Sequence, residues 1–335
     1  METKILSAYD IEIAGKIIQS GGLVAFPTET VYGLGADVFN EEAAGNIYKA
    51  KGRPSDNPLI VHICDKSDIE KIAKDISEYA WKLIDAFMPG PFTIILNKRE
   101  CIPYVVTGGL DTVAIRFPSN EIASGLIKAA KTPVVAPSAN LSGKPSPTEA
   151  KHVIDDLSGR VDCIIEGGNC DVGVESTVVD ASGDCPVILR PGGITLSDIQ
   201  KIVPSARVDK GILESVDKPK CPGMKYKHYS PDAQVIVIEG DRVPVRNKIT
   251  GLLKEQGDKR TGVLVFYEDN TYECDALLYA GGDNREYAKN LFSSLRSFDD
   301  LHIDIVFAEF KDDDGYGLAV KNRLYKAAAH NVIKV

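Results

Sequence analysis

The sequence has no cysteine pair at CxxC spacing. Its seven cysteines, Cys64, Cys101, Cys163, Cys170, Cys185, Cys221 and Cys274, lie far apart, which gives no support to a zinc ribbon, a redox motif or a disulfide framework. No uninterrupted apolar run approaches the roughly 18 residues of a membrane span. The opening METKILSAYD has neither the basic region nor the apolar stretch of a secretory signal. These absences lead to the expectation of a cytoplasmic protein with reduced thiols and no membrane contact. Cations are in the minority: 39 Lys and Arg stand against 48 Asp and Glu, for a net charge of -9. A broad, non-specific nucleic-acid surface needs clustered Lys and Arg to neutralise phosphate, so the balance argues against one and leaves room for a local basic site. Neither a Ser-His-Asp signature nor metal-ligand spacing is visible, and there is no internal repeat or low-complexity tract.

What is present is an α/β pattern. A length of 335 residues suggests about two domains, each long enough to bury its own core. From residue 10 to about 208, short β-rich runs alternate with helical patterns. LVAF (23–26), LIVHI (59–63), FTIIL (92–96), TVAIRF (112–117), PVVAPS (133–138), DCIIEG (162–167), STVVD (176–180) and VILR (187–190) read as strands. Stretches 10–20, 41–50, 67–87, 120–131 and 197–203 read as helices, with Asp10, Ser67, Asn120 and Ser197 as expected N-caps. Residues 209–232 break this rhythm and are expected to be a linker or lid. Between Lys218 and Pro231 there are four lysines, His228 and two tyrosines but no carboxylate, a local inversion of charge that suggests an anionic partner. After the linker, QVIVIEG, GVLVFY, ALLYAG and IDIVFAEF alternate with helical stretches near 243–256, 284–298 and 316–331, as in a small parallel doubly wound domain. The Rossmann GxGxxG fingerprint is missing after its first strand. Asp312 to Asp314 precede the last helix and are read as capping and solvation.

Four constellations carry the candidate chemistry. FPTETVYGLGA (26–36) sets Thr28, Thr30 and Tyr32 two residues apart, so an extended backbone would present three hydroxyls on one face, although a strand running into a turn at Gly33 and Gly35 would look the same. KGRPSDNPLIVH (51–62) delivers Lys51 at a helix C-terminus, where cations are favoured. It then fixes Arg53 beside Pro54, a stiff mount for a guanidinium that suits phosphate oxygens. His62 alternates with apolar neighbours on a strand, where a satisfied structural histidine is the commoner outcome. Arg116, in the apolar strand TVAIRF, needs an anionic partner if buried. PSANLSG supplies Ser138, Asn140 and Ser142 directly after a strand, the place where open α/β sheets bind ligands, although a capped turn would look the same. Finally, ESTVVD (175–180) and ILRPGGI (188–194) repeat the plan of a strand-end arginine, Arg190, beside flexible backbone. Fixed arginines, a loop lysine and many hydroxyls suit a polyanion held next to a small polar molecule, with electrostatic positioning as the catalytic device.

Taken in order, PTETVYGLG, KGRPxxNPL, IRxP, APSANxSGxPSPT, ESTVVD and LRPG resemble the Sua5/YrdC family over roughly residues 10–208. PGMKYKHYSP and GYGLAVKNRLYKAA resemble the long Sua5 form with its second domain. The resemblance implies a YrdC-like twisted mixed sheet with helices over 1–208, a linker and active-site lid over 209–232, and a Rossmann-like parallel α/β domain over 233–335. It implies synthesis of L-threonylcarbamoyladenylate from L-threonine, bicarbonate and ATP, with pyrophosphate released. A tRNA threonylcarbamoyl transferase complex downstream would use that product at position 37 of tRNAs reading codons that start with A, so tRNA contact is expected to be weak or indirect. Carried over by position, Thr30, His62, Arg116 and Ser176 match threonine-site residues. Arg53, Asn57, Thr112, Ser138, Ser146 and Arg190 match ATP-site residues, and Lys51, Arg53 and Arg116 are the expected catalytic cations. Thr28, Tyr32 and Asn140 are expected behind these, and Lys225, His228 and Tyr229 on the segment that folds over the site. ATP implies Mg²⁺, and no dedicated carboxylate cage is visible for it.

Two other readings differ in testable ways. An RNA-binding module would bind without ATP and lose affinity steeply with salt. Carbamoyl transfer of the hydrogenase-maturation kind would bring zinc-finger regions, which the missing CxxC pairs argue against.

Overall fold

The computed structural model describes residues 2–212, 228–312 and 314–335. Among these, contacts separate two compact units: 2–142 with 146–212, and 143–145 with 228–312 and 314–335.

In the first unit the described strands form one twelve-stranded mixed sheet. Its order is Lys4–Ser7, Cys163–Glu166, Val24–Phe26, Gly33–Asp37, Val134–Ala136, Ile60–His62, Thr112–Arg116, Phe92–Lys98, Thr177–Asp180, Val187–Arg190 and Arg207–Val208, with Ala73–Lys74 beside Phe92–Lys98. Strand alternation divides the side chains into two faces. Leu34, Val61, Ile63, Ile94, Leu96, Val113, Ile115, Val135 and Val179 point into the main core with Ala43, Ile47, Leu83, Ile84 and Val153, which come from three helices. On the opposite face Val24, Phe26, Val134, Ala136, Cys163 and Ile165 are covered by helices Ile11–Gln19 and Glu121–Ala130. Further along that second face the register pairs His62 with Arg116, and Arg116 with Thr93. These polar groups lie on the same face as a small apolar group made of Ile60, Ile95, Ala114, Val178 and Leu189.

Local signals explain most boundaries. Asn40 accepts from Ala43 N to start helix Glu41–Lys51, and Gly52 ends it in the left-handed region at φ 63°. Asn120 accepts from Ile122 N and Ala123 N, as its position in the sequence implied. Three other expected caps differ. Asp10 turns back to accept from Ser7 N and Oγ. Asp65, not Ser67, caps its short helical turn. Thr195 rather than Ser197 starts helix Leu196–Ile202, through a reciprocal capping box with Asp198. The single helix expected over 67–87 is interrupted, because Asp75 takes φ 54° and Ser77 caps a new helix, Glu78–Phe87. Among the described residues of the acidic run, Asp312 does not cap the last helix. Asp312 Oδ1 instead accepts from Asn284 Nδ2 and Asp314 N, and Tyr316 begins the helix without a side-chain cap. Asp313 lies outside the described residues.

The second unit is a five-stranded, wholly parallel sheet in the order Ala276–Tyr279, Thr261–Val265, Ile305–Phe310, Gln234–Glu239, Val332–Lys334. Helices Arg242–Lys254, Asn284–Asp300 and Gly317–Ala327 connect the strands. This is the small Rossmann-like α/β domain that the strand–helix rhythm implied. Its tail adds the edge strand Val332–Lys334, too short to announce itself in the sequence. The stretch GYGLAVKNRLYKAA becomes the last helix, from which Lys321 Nζ (2.8 Å) and Tyr325 OH donate to Glu239 at the end of the first strand. Glu309 is buried and accepts from Phe266 N, Asn270 Nδ2 and Tyr272 OH. Among the described residues no helix is long and apolar enough to cross a membrane.

Candidate functional site

The segment after strand Val24–Phe26 does not continue as a strand, so the three-hydroxyl face expected of Thr28, Thr30 and Tyr32 does not form. Thr28 Oγ1 instead closes a tight bend: it donates to Val31 O at 2.7 Å, accepts from Thr30 N at 3.1 Å and lies 2.9 Å from Thr30 Oγ1. The bend brings two of the hydroxyls together. It sends Tyr32 elsewhere, to donate to Gly168 O and accept from Gly167 N, and burial pushes its phenol well above the ordinary value. Tyr32 N donates to Pro147 O and Ala139 N donates to Tyr32 O, so this bend and the PSAN loop are stitched backbone to backbone.

Arg116, at the end of strand Thr112–Arg116, is buried. Its Nη2 is 2.8 Å from Glu29 Oε1 and 3.4 Å from Thr28 Oγ1. Its strand neighbour His62 is also buried. Burial, reinforced by the adjacent guanidinium, lowers the imidazole pKa to about 3, so the ring is neutral near pH 7. Nδ1 lies 3.0 Å from Ile60 O, to which it can donate, and the Val134 backbone also faces the ring. Across the strand on the other side, Thr93 Oγ1 lies 2.7 Å from Ser176 Oγ. Arg190 in turn donates through Nε to Ser176 O and through Nη2 to Ser176 Oγ, both at 3.1 Å.

A β-bulge delivers that last arginine. Val178 pairs with Arg190 while Val179 pairs with Ile188, so Leu189 is an extra residue and both Leu189 and Arg190 lie opposite Val178. A bulge re-aims a side chain in this way. Without it Arg190 would fall on the other face. Gly192 then passes so close to the next strand that a Cβ would stand 2.4 Å from Thr177 N and 2.6 Å from Glu175 O, so only glycine fits there.

Lys51 is buried and donates to Ser138 O and Asn140 O, each at 2.5 Å. It fastens the PSAN loop to the helix end, and Ser142 N donates back to Lys51 O. Within the loop Ser138 Oγ donates to Asn140 Oδ1. Arg53 is half-buried, with Nη2 donating to Pro58 O at 3.1 Å and to Asn57 O at 3.4 Å. Asn57 is buried and its Oδ1 has no hydrogen-bond partner among the described residues. Ser146 Oγ donates to Glu175 Oε1 at 2.5 Å. Thr112 shares the face of Arg116 but sits four residues earlier on the strand, about 13 Å away.

The structure therefore joins Thr28, Thr30 and Arg116 in one hydrogen-bonded group and Ser176 and Arg190 in another on the same sheet face, with His62 and Thr93 as the strand partners of Arg116, and joins Lys51, Ser138 and Asn140 in a third. Tyr32, Thr112 and Ser146 are not side-chain members of these groups, although the Tyr32 backbone bonds to the PSAN loop. His228 and Tyr229 belong to the second unit, where the Tyr229 ring stacks on Phe292 at 5.2 Å. Lys225 lies outside the described residues. Two participants, Glu29 and Thr93, were not singled out in the sequence, nor was Glu175, which accepts from Ser146 outside these groups. Glu29 had a signal, being an acid inside an otherwise uncharged motif. Thr93 had none, since a threonine in a strand is ordinary.

A family model named for Sua5, YciO and YrdC and described as "Telomere recombination" matches residues 16–192. A second, "Threonylcarbamoyl-AMP synthase, C-terminal domain", matches residues 194–329. The chain belongs to the Sua5/YrdC family. It is 49% identical to a threonylcarbamoyl-AMP synthase of Pyrococcus abyssi over 98% of this chain and 97% of the relative. It is 46% identical to the Bacillus subtilis protein of the same name over 99% and 97%. The solved structure described as P. abyssi Sua5 complexed with L-threonine superposes with a TM-score of 0.96 at 49% identity, over 99% of this chain and all of that one. The two-domain Sua5 architecture is thus that of this chain, an enzyme of the threonylcarbamoyl-AMP synthase type.

Proposed function

We propose that this protein synthesises L-threonylcarbamoyladenylate from L-threonine, bicarbonate and ATP and releases pyrophosphate. The observation that carries the reading is the convergence of Arg116 and Arg190 on one sheet face through the Thr93–Ser176 hydroxyl pair. Such a face suits two anions that must meet. Threonine's amino nitrogen adds to the carbon of bicarbonate, losing water and protons, to give a carbamate. A carbamate oxygen then attacks the α-phosphorus of ATP, the new P–O bond replaces the bond to the β-phosphate bridge, and pyrophosphate leaves. Neither step calls for a side-chain nucleophile. The repulsion between carbamate and triphosphate is the main obstacle, and fixed cations in a dry setting reduce it.

In this account Arg116 clamps the amino-acid carboxylate, while Thr30, Ser176 and His62 surround the substrate. His62 serves as a neutral hydrogen-bonding group, because its depressed pKa keeps it from being an imidazolium acid at neutral pH. Arg53, Asn57, Thr112, Ser138, Ser146 and Arg190 hold ATP, and the roughly 13 Å of strand between Thr112 and Arg116 leaves room for two substrates along one strand. Lys51 acts by holding the PSAN loop in place, which its two carbonyl contacts favour over direct phosphate binding. Mg²⁺ enters with ATP as part of the substrate. Among the described residues no three His, Cys, Asp or Glu side chains are grouped to hold a metal, so phosphate oxygens and water would ligate it. The product would pass to a tRNA threonylcarbamoyl transferase complex in the cytoplasm for modification of adenosine 37, with any direct tRNA contact weak.

Pyrophosphate release measured with Mg²⁺–ATP and bicarbonate tests this reading. Release that requires both L-threonine and bicarbonate supports it. Release indifferent to threonine moves the weight to carbamoyl transfer, and binding of RNA without ATP moves it to an RNA-binding role.

A further inference from the structure

The Glu29–Arg116 pair is an ion pair with a defect on each side. Glu29 and Arg116 are 7% and 4% exposed. Oε1 of Glu29 lies 2.8 Å from Arg116 Nη2, but neither Glu29 oxygen has an aligned hydrogen-bond partner among the described residues, and neither does Arg116 Nε. Buried charges are normally hydrogen-bonded as well as paired. Here an acceptor and a donor, each on a charged group and each out of reach of water, are left over together. The backbone holds Glu29 in this position. Its carbonyl accepts from Val172 N at 2.8 Å, and the Thr30 carbonyl accepts from Gly173 N. A carboxylate that served only to neutralise Arg116 would gain by rotating into a full two-pronged contact, and this pair stops short of that.

The missing partners have a definite chemistry. The unmatched Nε–H of Arg116 can take an acceptor, and the bond is strongest to an anionic one. The unmatched oxygen of Glu29 can take a donor, and the bond is strongest from a cationic one. An α-amino acid zwitterion carries both, separated by one carbon. Resting on the threonine assignment above, we propose that Glu29 is the receptor for the substrate's α-amino group, so that Glu29 and Arg116 form a charge-reversed template of the zwitterion. Arg116 takes the carboxylate and Glu29 the ammonium. The site then selects a free α-amino acid over the matching α-hydroxy acid, because the latter presents a second hydroxyl to a buried anion and leaves its charge unanswered. Discrimination that rests on leaving a buried group unpaired is strong, reaching about 10⁴-fold at sites built for it. Cys170 does not compete as an anion in this corner, since burial pushes its thiol up to about 12.

The test is equilibrium binding to the full-length protein without bicarbonate, so that no turnover contributes. The ligands are L-threonine and (2S,3R)-2,3-dihydroxybutanoate, which replaces the amino group with a hydroxyl. The wild type is expected to bind threonine at least tenfold more tightly than the hydroxy acid. Glu29→Gln is expected to lose at least tenfold in threonine affinity, to hold the hydroxy acid within about threefold, and to bind Mg²⁺–ATP as the wild type does. A purely structural Glu29 would weaken both ligands alike, and that result overturns the inference, as does unchanged threonine binding in the variant. The wild-type comparison needs no variant to fold: equal affinity for the two ligands also overturns it while leaving the threonine assignment standing. A wild type that binds neither ligand overturns both.

Discussion

His62 links the chemistry of the site to the stability of the first unit. Its imidazole titrates near 6.5 in an unfolded chain and near 3 in the folded one, because burial and then Arg116 disfavour the charged form. The unfolded state therefore binds a proton that the folded state refuses, and stability falls as pH drops below 6.5 until the folded pKa is reached. From these two values the loss due to His62 is only about 0.2 kcal/mol at pH 7 and about 2 kcal/mol at pH 5. Replacing His62 by Gln removes this titration while keeping a side chain that can donate to Ile60 O. Urea unfolding followed by fluorescence of Trp81, the only tryptophan, reports on the first unit, since Trp81 lies in helix Glu78–Phe87. The variant starts from lower stability, but its decline between pH 7 and pH 5 is expected to be smaller than that of the wild type by about 2 kcal/mol. Equal declines would mean that His62 is accessible to protons in the folded state, and its role as a neutral hydrogen-bonding group would fall with that.

Three further outcomes follow from contacts in the same unit. Lys51→Met strands two carbonyls, each now served by a charge-assisted bond at 2.5 Å. It is expected to cost about 3–6 kcal/mol in the same urea assay and to abolish turnover through disorder of the PSAN loop. Arg53→Ala removes a half-buried side chain with long contacts to Asn57 O and Pro58 O. Its stability loss should not exceed about 3 kcal/mol, while pyrophosphate release falls at least tenfold; wild-type rates would remove Arg53 from the phosphate site. Gly192→Ala drives a Cβ into the backbone at Thr177 and Glu175, for a loss of about 3 kcal/mol. Calorimetry should show this as a Tm lower by about 6–12 °C.

The limits of the sequence lie in particular residues. Arg116 and His62 were readable because polar groups in apolar strands stand out, and the parallel register then places them side by side. The Rossmann-like unit was readable from its alternation of strands and helices. Arg190 was readable as a strand-end cation, but its place on the site face depends on one extra residue in a bulge, which strand periodicity does not reveal. The hydroxyls of PTETVYG were seen but misjudged: extended geometry would align all three, whereas the side-chain bonds of Thr28 favour a bend. The resemblance gave Lys51 as a catalytic cation, yet it donates to backbone carbonyls nearly ninety residues away in the chain, and no local pattern encodes such a contact. Glu29 did leave a local signal, as the one charged residue of its motif, but its significance appears only when Arg116 is placed beside it.

The central claim is that one active site joins threonine, bicarbonate and the adenylyl group of ATP. Mass spectrometry of the product formed from L-threonine, Mg²⁺–ATP and ¹³C-bicarbonate tests it most directly. The expected product is a single adduct containing one threonine, one AMP unit and one ¹³C carbonyl between the amino nitrogen and the phosphate. An unlabelled adduct of threonine and AMP joined through the amino-acid carboxylate would contradict the account, because Arg116 would then be holding the wrong end of the substrate.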